Sequence, residues 1–114
     1  MEEPLDPPPQ GGEITKLEVQ KNNSDRVSVF IGGEFAFGVH QDLVLKHRLH
    51  AGRTLTPDEQ QAIVEDDRVA KAKARALDYL AHKPRTETEV RRKLRENAYT
   101  EPVIASVVER LHEL

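Results

Sequence analysis

Residues 68–95 read RVAKAKARALDYLAHKPRTETEVRRKLR, and the organisation of the whole chain turns on this stretch. Val69, Ala72, Ala76 and Leu80 recur at spacings of three and four, so they share one side of a helix. Arg68, Lys71, Arg75, Asp78 and His82 keep the same rhythm on another side. Pro84 lacks the backbone N–H that a continuing helix needs, so the helix ends before it. Thr86-Glu87-Thr88-Glu89 then places a capping Thr three residues ahead of a Glu, the reciprocal arrangement that satisfies unpaired N–H groups at a helix start. The second helix buries Val90 and Leu94, extending to Ala98.

Downstream, Asn97 to Thr100 turns the chain, and Ile104, Val107, Val108 and Leu111 form the apolar face of a third helix. Residues from about 68 to 114 therefore read as a three-helix unit with a helix-turn-helix-like first pair. Upstream, Thr56-Pro57-Asp58-Glu59 combines a capping Thr, Pro at the first helical position and Glu at the third. The first helix of the unit thus starts at Pro57 and runs to about His82, with a bend or break expected near Asp66-Asp67.

Ahead of that helix the period changes to two. Leu17 and Val19 alternate with charged neighbours, and Asn22 to Asp25 supplies turn chemistry. Val27, Val29 and Ile31 alternate again, Gly32-Gly33 offers a tight primed turn, and Phe35, Phe37 and Val39 follow. This predicts a three-stranded antiparallel meander over Ile14 to Val39, with Phe30 out of phase on the exposed face. Asp42 is placed to cap a short helix through Leu43, Val44, Leu45 and Leu49, with Gly52 just past its end. Residues 1–13, opening MEEPLDPPPQGG, are too poor in apolar surface to order and read as a disordered tail. The expected organisation is α+β: a tail at 1–13, a β-rich region with a short helix at 14–55, and a helical region at 56–114.

The 114 residues allow one domain or two small subdomains. The absence of cysteine rules out a disulfide or a thiolate metal site, and no run of 18 apolar residues or secretory leader is present. A cytoplasmic protein with no membrane contact is expected. The formal charge of −3 hides an asymmetry: residues 1–67 carry 6 basic and 13 acidic side chains, net −7, and residues 68–114 carry 11 and 7, net +4. Within 68–95 alone, 10 basic residues stand against Asp78, Glu87 and Glu89.

Signatures of catalysis are missing: no phosphate-binding glycine loop, no Gly-x-Ser-x-Gly elbow, no His-Glu-x-x-His and no cysteine nucleophile. His47 and His50 share a helix face but have no third ligand, so they read as solvated histidines rather than a metal site. Asp66 and Asp67 point about 100° apart on a helix and read as a solvated face or as partners of Arg68 and Lys71. No catalytic residue, metal, cofactor or small-molecule substrate is expected. The basic set Arg68, Lys71, Arg75, Arg85, Arg91, Arg92, Lys93 and Arg95 is the candidate binding surface, suited to phosphates or to an acidic protein groove. Tyr79, beside Leu80, reads as core rather than as a stacking platform.

The run Ala76-Leu77-Asp78-Tyr79-Leu80-Ala81, then Pro84-Arg85-Thr86, then Glu89-Val90-Arg91-Arg92-Lys93-Leu94 resembles the first three-helix repeat of the RecX family. Ile14 to Gln20, Arg26 to Ile31 and Glu34 to Val39 resemble the β-rich region that many members place before their repeats. The resemblance covers Ile14 to Leu114. It implies a non-enzymatic regulator that binds the RecA recombinase filament on single-stranded DNA, suppresses its activity, and so acts in recombination, DNA repair and the SOS response. RecA, together with the single-stranded DNA backbone, is the implied partner. Family members usually carry three repeats, the first followed by a Gly-aromatic-x-Asp-Asp segment. This chain reaches only His112-Glu113-Leu114, so a truncated fragment is expected. A stand-alone helix-turn-helix DNA-binding module, with Glu87 to Glu96 as recognition helix, is the alternative.

Overall fold

In the computed structural model, which describes residues 9–113, the period-two segments pair as strands β1 (Gly12–Gln20), β2 (Asn23–Ile31) and β3 (Glu34–His40). A fourth strand, β4 (Thr54–Leu55), adds to the outer edge of β1, giving the antiparallel order β3-β2-β1-β4 among the described residues. The expected three-stranded meander forms as β1–β2–β3, and β4 extends it to a four-stranded sheet. Two residues carry no periodicity, which is why β4 leaves no trace in the pattern.

The tail expected to reach residue 13 overlaps β1, and its residues 1–8 lie outside the described part. Gly11 donates its N–H to the Gln60 side chain at 2.9 Å, and a Cβ there would sit 2.6 Å from the Leu55 carbonyl oxygen. Gly11, which reads as part of the tail, instead permits close approach of the backbone to β4.

Gly32 and Gly33 both have positive φ, as a tight primed turn requires. The β1–β2 turn is tighter than expected: Lys21 and Asn22 form it, Gln20 pairs with Asn23, and the Asn23 side chain accepts from the Asp25 N–H inside β2. The register slips between Val29 and Phe30, where Phe37 and Phe35 are their partners, so Ala36 is the extra residue of a bulge. Ala36 and Phe37 are both buried, whereas Phe35 is 44% exposed. Phe35 thus leaves the expected Phe35-Phe37-Val39 face and meets Phe30 edge-on at 6.1 Å.

Helix α1 (Gln41–Lys46) is shorter than expected, and its N-cap is His40, whose Nδ1 accepts from the Asp42 N–H. Asp42 lies inside the first turn, where its charge suits the helix dipole. Helix α2 (Pro57–His82) is continuous through Asp66-Asp67, without the expected break. The chain divides into two compact units at Asp67/Arg68, so the first part of α2 belongs with the sheet. There Gln60, Ile63 and Asp67 are buried at helical spacing.

The second unit comprises the remainder of α2, α3 (Glu87–Glu96) and α4 (Glu101–His112). Val69, Ala72 and Ala76 pack with Val90, Leu94, Val103, Ile104, Val107 and Val108, flanked by the half-buried Tyr79, Leu80, Tyr99 and Leu111. Both expected capping boxes form, Thr56 with Glu59 and Thr86 with Glu89. Ala98 is not part of the buried stripe. It is exposed at φ 66°, and the Ala98 and Tyr99 N–H groups close the end of α3 onto the Arg95 and Leu94 carbonyls.

Candidate functional site

The basic residues of the three-helix unit occupy three settings. On α2, Arg68, Lys71 and Arg75 share a side, with Arg68 and Arg75 exposed and Lys71 half-buried. Arg68 and Lys71 are engaged within the chain, whereas Arg75 has no ion pair among the described residues.

The second setting is Tyr79. The Arg85 guanidinium lies 4.0 Å from the centre of its ring, and the Lys93 ammonium lies 5.5 Å from it. One aromatic side chain on α2 therefore gathers a cation from the α2–α3 turn and another from α3, each attraction worth roughly 0.5–1 kcal/mol when exposed. Arg85 is only 17% exposed, with its Nη1 3.9 Å from Glu89 and its Nε buried without a partner. Tyr79 packs on the core, as its sequence context implies, and also orders two cations.

The third setting is the α4 side of α3. Arg91 donates to Glu87 at 3.1 Å, Glu87 also meets His112 at 2.9 Å, and Arg95 donates to Glu101 at 2.8 Å. The hydrogen bonds of His112 and Arg91 hold the Glu87 carboxyl below the usual carboxylate range. The Thr86 backbone N–H does the same for Glu89, helped by the Thr86 hydroxyl and the charge of Arg85. Arg92, at about 100° per residue, falls opposite the Val90/Leu94 stripe and has no ion pair among the described residues. Helix α3 thus distributes its cations around its circumference. Arg85 and Lys93 come together, Arg91 and Arg95 are separately neutralised, and Arg75 and Arg92 remain uncommitted.

The acidic pair is structural rather than a solvated face, and it engages cations distant in sequence. Asp67 is 4% exposed, accepts from both terminal nitrogens of Arg26 at 3.3 and 2.9 Å, and accepts the His40 N–H at 3.0 Å. Asp66 meets Lys46 at 2.8 Å and His47 at 2.9 Å. Among the described residues no three His, Cys, Asp or Glu side chains converge as a metal site, and no helix is long and apolar enough to cross a membrane.

Two domain models match in chain order: the regulatory protein RecX N-terminal domain over residues 12–56, and the RecX first three-helix domain over residues 72–111. The chain belongs to the RecX family. The first match spans β1 to β4, and the second spans the core of the three-helix unit. The RecX regulatory protein of Clostridium acetobutylicum is 40% identical over 100 residues, 88% of this chain and 47% of that protein. That of Bacillus subtilis is 36% identical over 100 residues, 88% of this chain and 38% of its own length. A crystal structure of a regulatory protein RecX superposes with a TM-score of 0.77 at 33% identity, covering 89% of this chain and 49% of that one. The chain therefore spans less than half the length of these RecX relatives, and the α+β architecture is that of a solved family member.

Proposed function

We propose that this chain acts without catalysis, by binding the RecA recombinase filament and lowering its activity in recombination, DNA repair and the SOS response of the bacterial cytoplasm. The observation that carries this reading is the ordered match to two successive domains of one regulatory family. The three-helix unit supplies a contact surface consistent with it: Arg75 and Arg92 are exposed and uncommitted, and Arg85 and Lys93 are ordered on Tyr79. Arg68, Lys71, Arg91 and Arg95 complete the proposed set as cations already held by partners in the chain. Such a surface meets acidic side chains or the DNA backbone within a filament through charge-assisted hydrogen bonds. The outward positions of α3, Thr88, Arg92, Arg95 and Glu96, include no Asn or Gln to read adenine, so α3 does not favour sequence-specific duplex binding.

The test is co-sedimentation with RecA filaments assembled on single-stranded DNA, against the same DNA alone at matched salt. Filament-preferred binding that the Arg75→Glu/Arg92→Glu variant weakens by about tenfold is the expected result, a loss of about 1.4 kcal/mol. Equal binding to naked DNA and filament contradicts the reading.

A further inference from the structure

We propose that the N-terminal unit carries a phosphate-binding groove of its own, formed by Lys46, Arg48, His50 and Arg53, that takes the phosphodiester backbone of a nucleic-acid strand. The proposal goes beyond the reading above and does not rest on it. Residues 46–53, KHRLHAGR, contain no acid and hold 3 of the 6 Lys and Arg residues of an otherwise acidic half-chain. In the fold this segment leaves α1, and an open groove is lined by Lys46, His47, Arg48, His50 and Arg53 alone.

The groove is built rather than loose. Leu49 is buried and its N–H reaches the Val44 carbonyl at 2.9 Å, which anchors the segment from below. The Arg53 guanidinium donates to the His47 carbonyl, to the Arg48 carbonyl at 3.5 Å, and to Glu59 at 3.2 Å, which clamps it from the side. Held in this way, Arg48 adopts φ 52°, a left-handed conformation that a residue with a side chain rarely takes and that surrounding structure must enforce. Its side chain is exposed and has no ion pair among the described residues. His50 Nδ1 lies 3.0 Å from the Ala51 carbonyl, which leaves Nε2 as the ring nitrogen open to a ligand, a donor to phosphate in the imidazolium form.

Charge favours an anion. Lys46, Arg48 and Arg53 contribute three positive charges; Asp66, on Lys46 and His47, and Glu59, on Arg53, return two, leaving +1 before the two imidazoles are counted. No Leu, Ile, Val, Met, Phe, Tyr or Trp lines the groove, so it lacks the desolvated apolar anchor that a protein partner would need. Dispersed cationic donors fit the repeating phosphates of a strand, whose contacts position without reading sequence.

The experiment is fluorescence anisotropy with a labelled single-stranded DNA of mixed sequence over a salt series, for the full chain and for Arg48→Glu/His50→Glu. Both substitutions fall on exposed residues, and circular dichroism checks that the variant is folded. The expected result is a drop of about tenfold in affinity, with a salt slope shallower by about 0.7 for each phosphate that the variant no longer neutralises. In parallel, the imidazole NMR signals of His47 and His50 in the unaltered chain are followed with the same oligonucleotide and with inorganic phosphate. Response at lower oligonucleotide than phosphate concentration supports a backbone site, and response to inorganic phosphate alone overturns it. Unchanged affinity and slope in the folded variant also overturn it. Arg75→Glu/Arg92→Glu leaves this groove intact, so its effect on filament binding is separable from these outcomes.

Discussion

Asp67 on α2 pairs with Arg26, 41 positions away on β2, and both side chains are nearly inaccessible, Arg26 at 8% and Asp67 at 6% exposure. Removing one member of a buried pair strands the other, which costs roughly 3–5 kcal/mol. Asp67→Ala is expected to lose stability in that range by urea denaturation, and a loss below about 1 kcal/mol would mean that water replaces the carboxylate at little cost. Ala98 poses the opposite case. At φ 66° it fills the left-handed position at the end of α3 that glycine occupies most easily. Ala98→Gly is expected to raise stability by about 1 kcal/mol, because the left-handed penalty on alanine exceeds the added chain entropy of glycine. A lowered melting temperature would contradict this.

Elements specified by local chemistry were legible, and those specified across strands were not. The capping boxes at Thr56 and Thr86, the Gly32-Gly33 turn and the helical stripes all depend on residues within a few positions of one another. The bulge at Ala36 and the strand β4 depend on register with a partner strand, and a bulge adds one residue without altering composition. That single residue moved Phe35 to the other face. The capping boxes also set an acid response. The Thr56 N–H holds Glu59, and the Thr86 N–H holds Glu89, below the ordinary carboxylate value of 4.5 expected in the unfolded chain. Each depressed group contributes stability that is present above 4.5 and lost as pH falls through its lower folded value. Thermal melts from neutral pH downward are expected to show a falling midpoint below about pH 4.5, and a shallower fall in Glu89→Gln. Parallel profiles for the two proteins would show that the box is not coupled to folding.

At the scale of the whole molecule, charge and compactness divide at the same place. The net −7 of residues 1–67 and +4 of residues 68–114 follow the Asp67/Arg68 boundary between the two compact units, inside a helix that runs on without a break. The capping box at Thr56 starts the helical region at 56, and the expected three-helix repeat begins within it at about 68. The burial of Gln60, Ile63 and Asp67 groups the first turns of α2 with the sheet. Of the candidate surface, residue type and helical side were readable, but not which cations were already spent. Glu101 and Tyr79 engage Arg95, Arg85 and Lys93 through contacts between elements, and Glu87 engages Arg91 one turn along α3, leaving Arg75 and Arg92 uncommitted. The groove at Lys46 to Arg53 was hidden by the acidic average of its half-chain. Regulatory action on the recombinase is read in the ATP hydrolysis rate of RecA filaments on single-stranded DNA as this chain is added. The proposed function predicts a rate that falls with added chain, and falls less with Arg75→Glu/Arg92→Glu. A rate that stays constant while the chain is bound to the filament would contradict it.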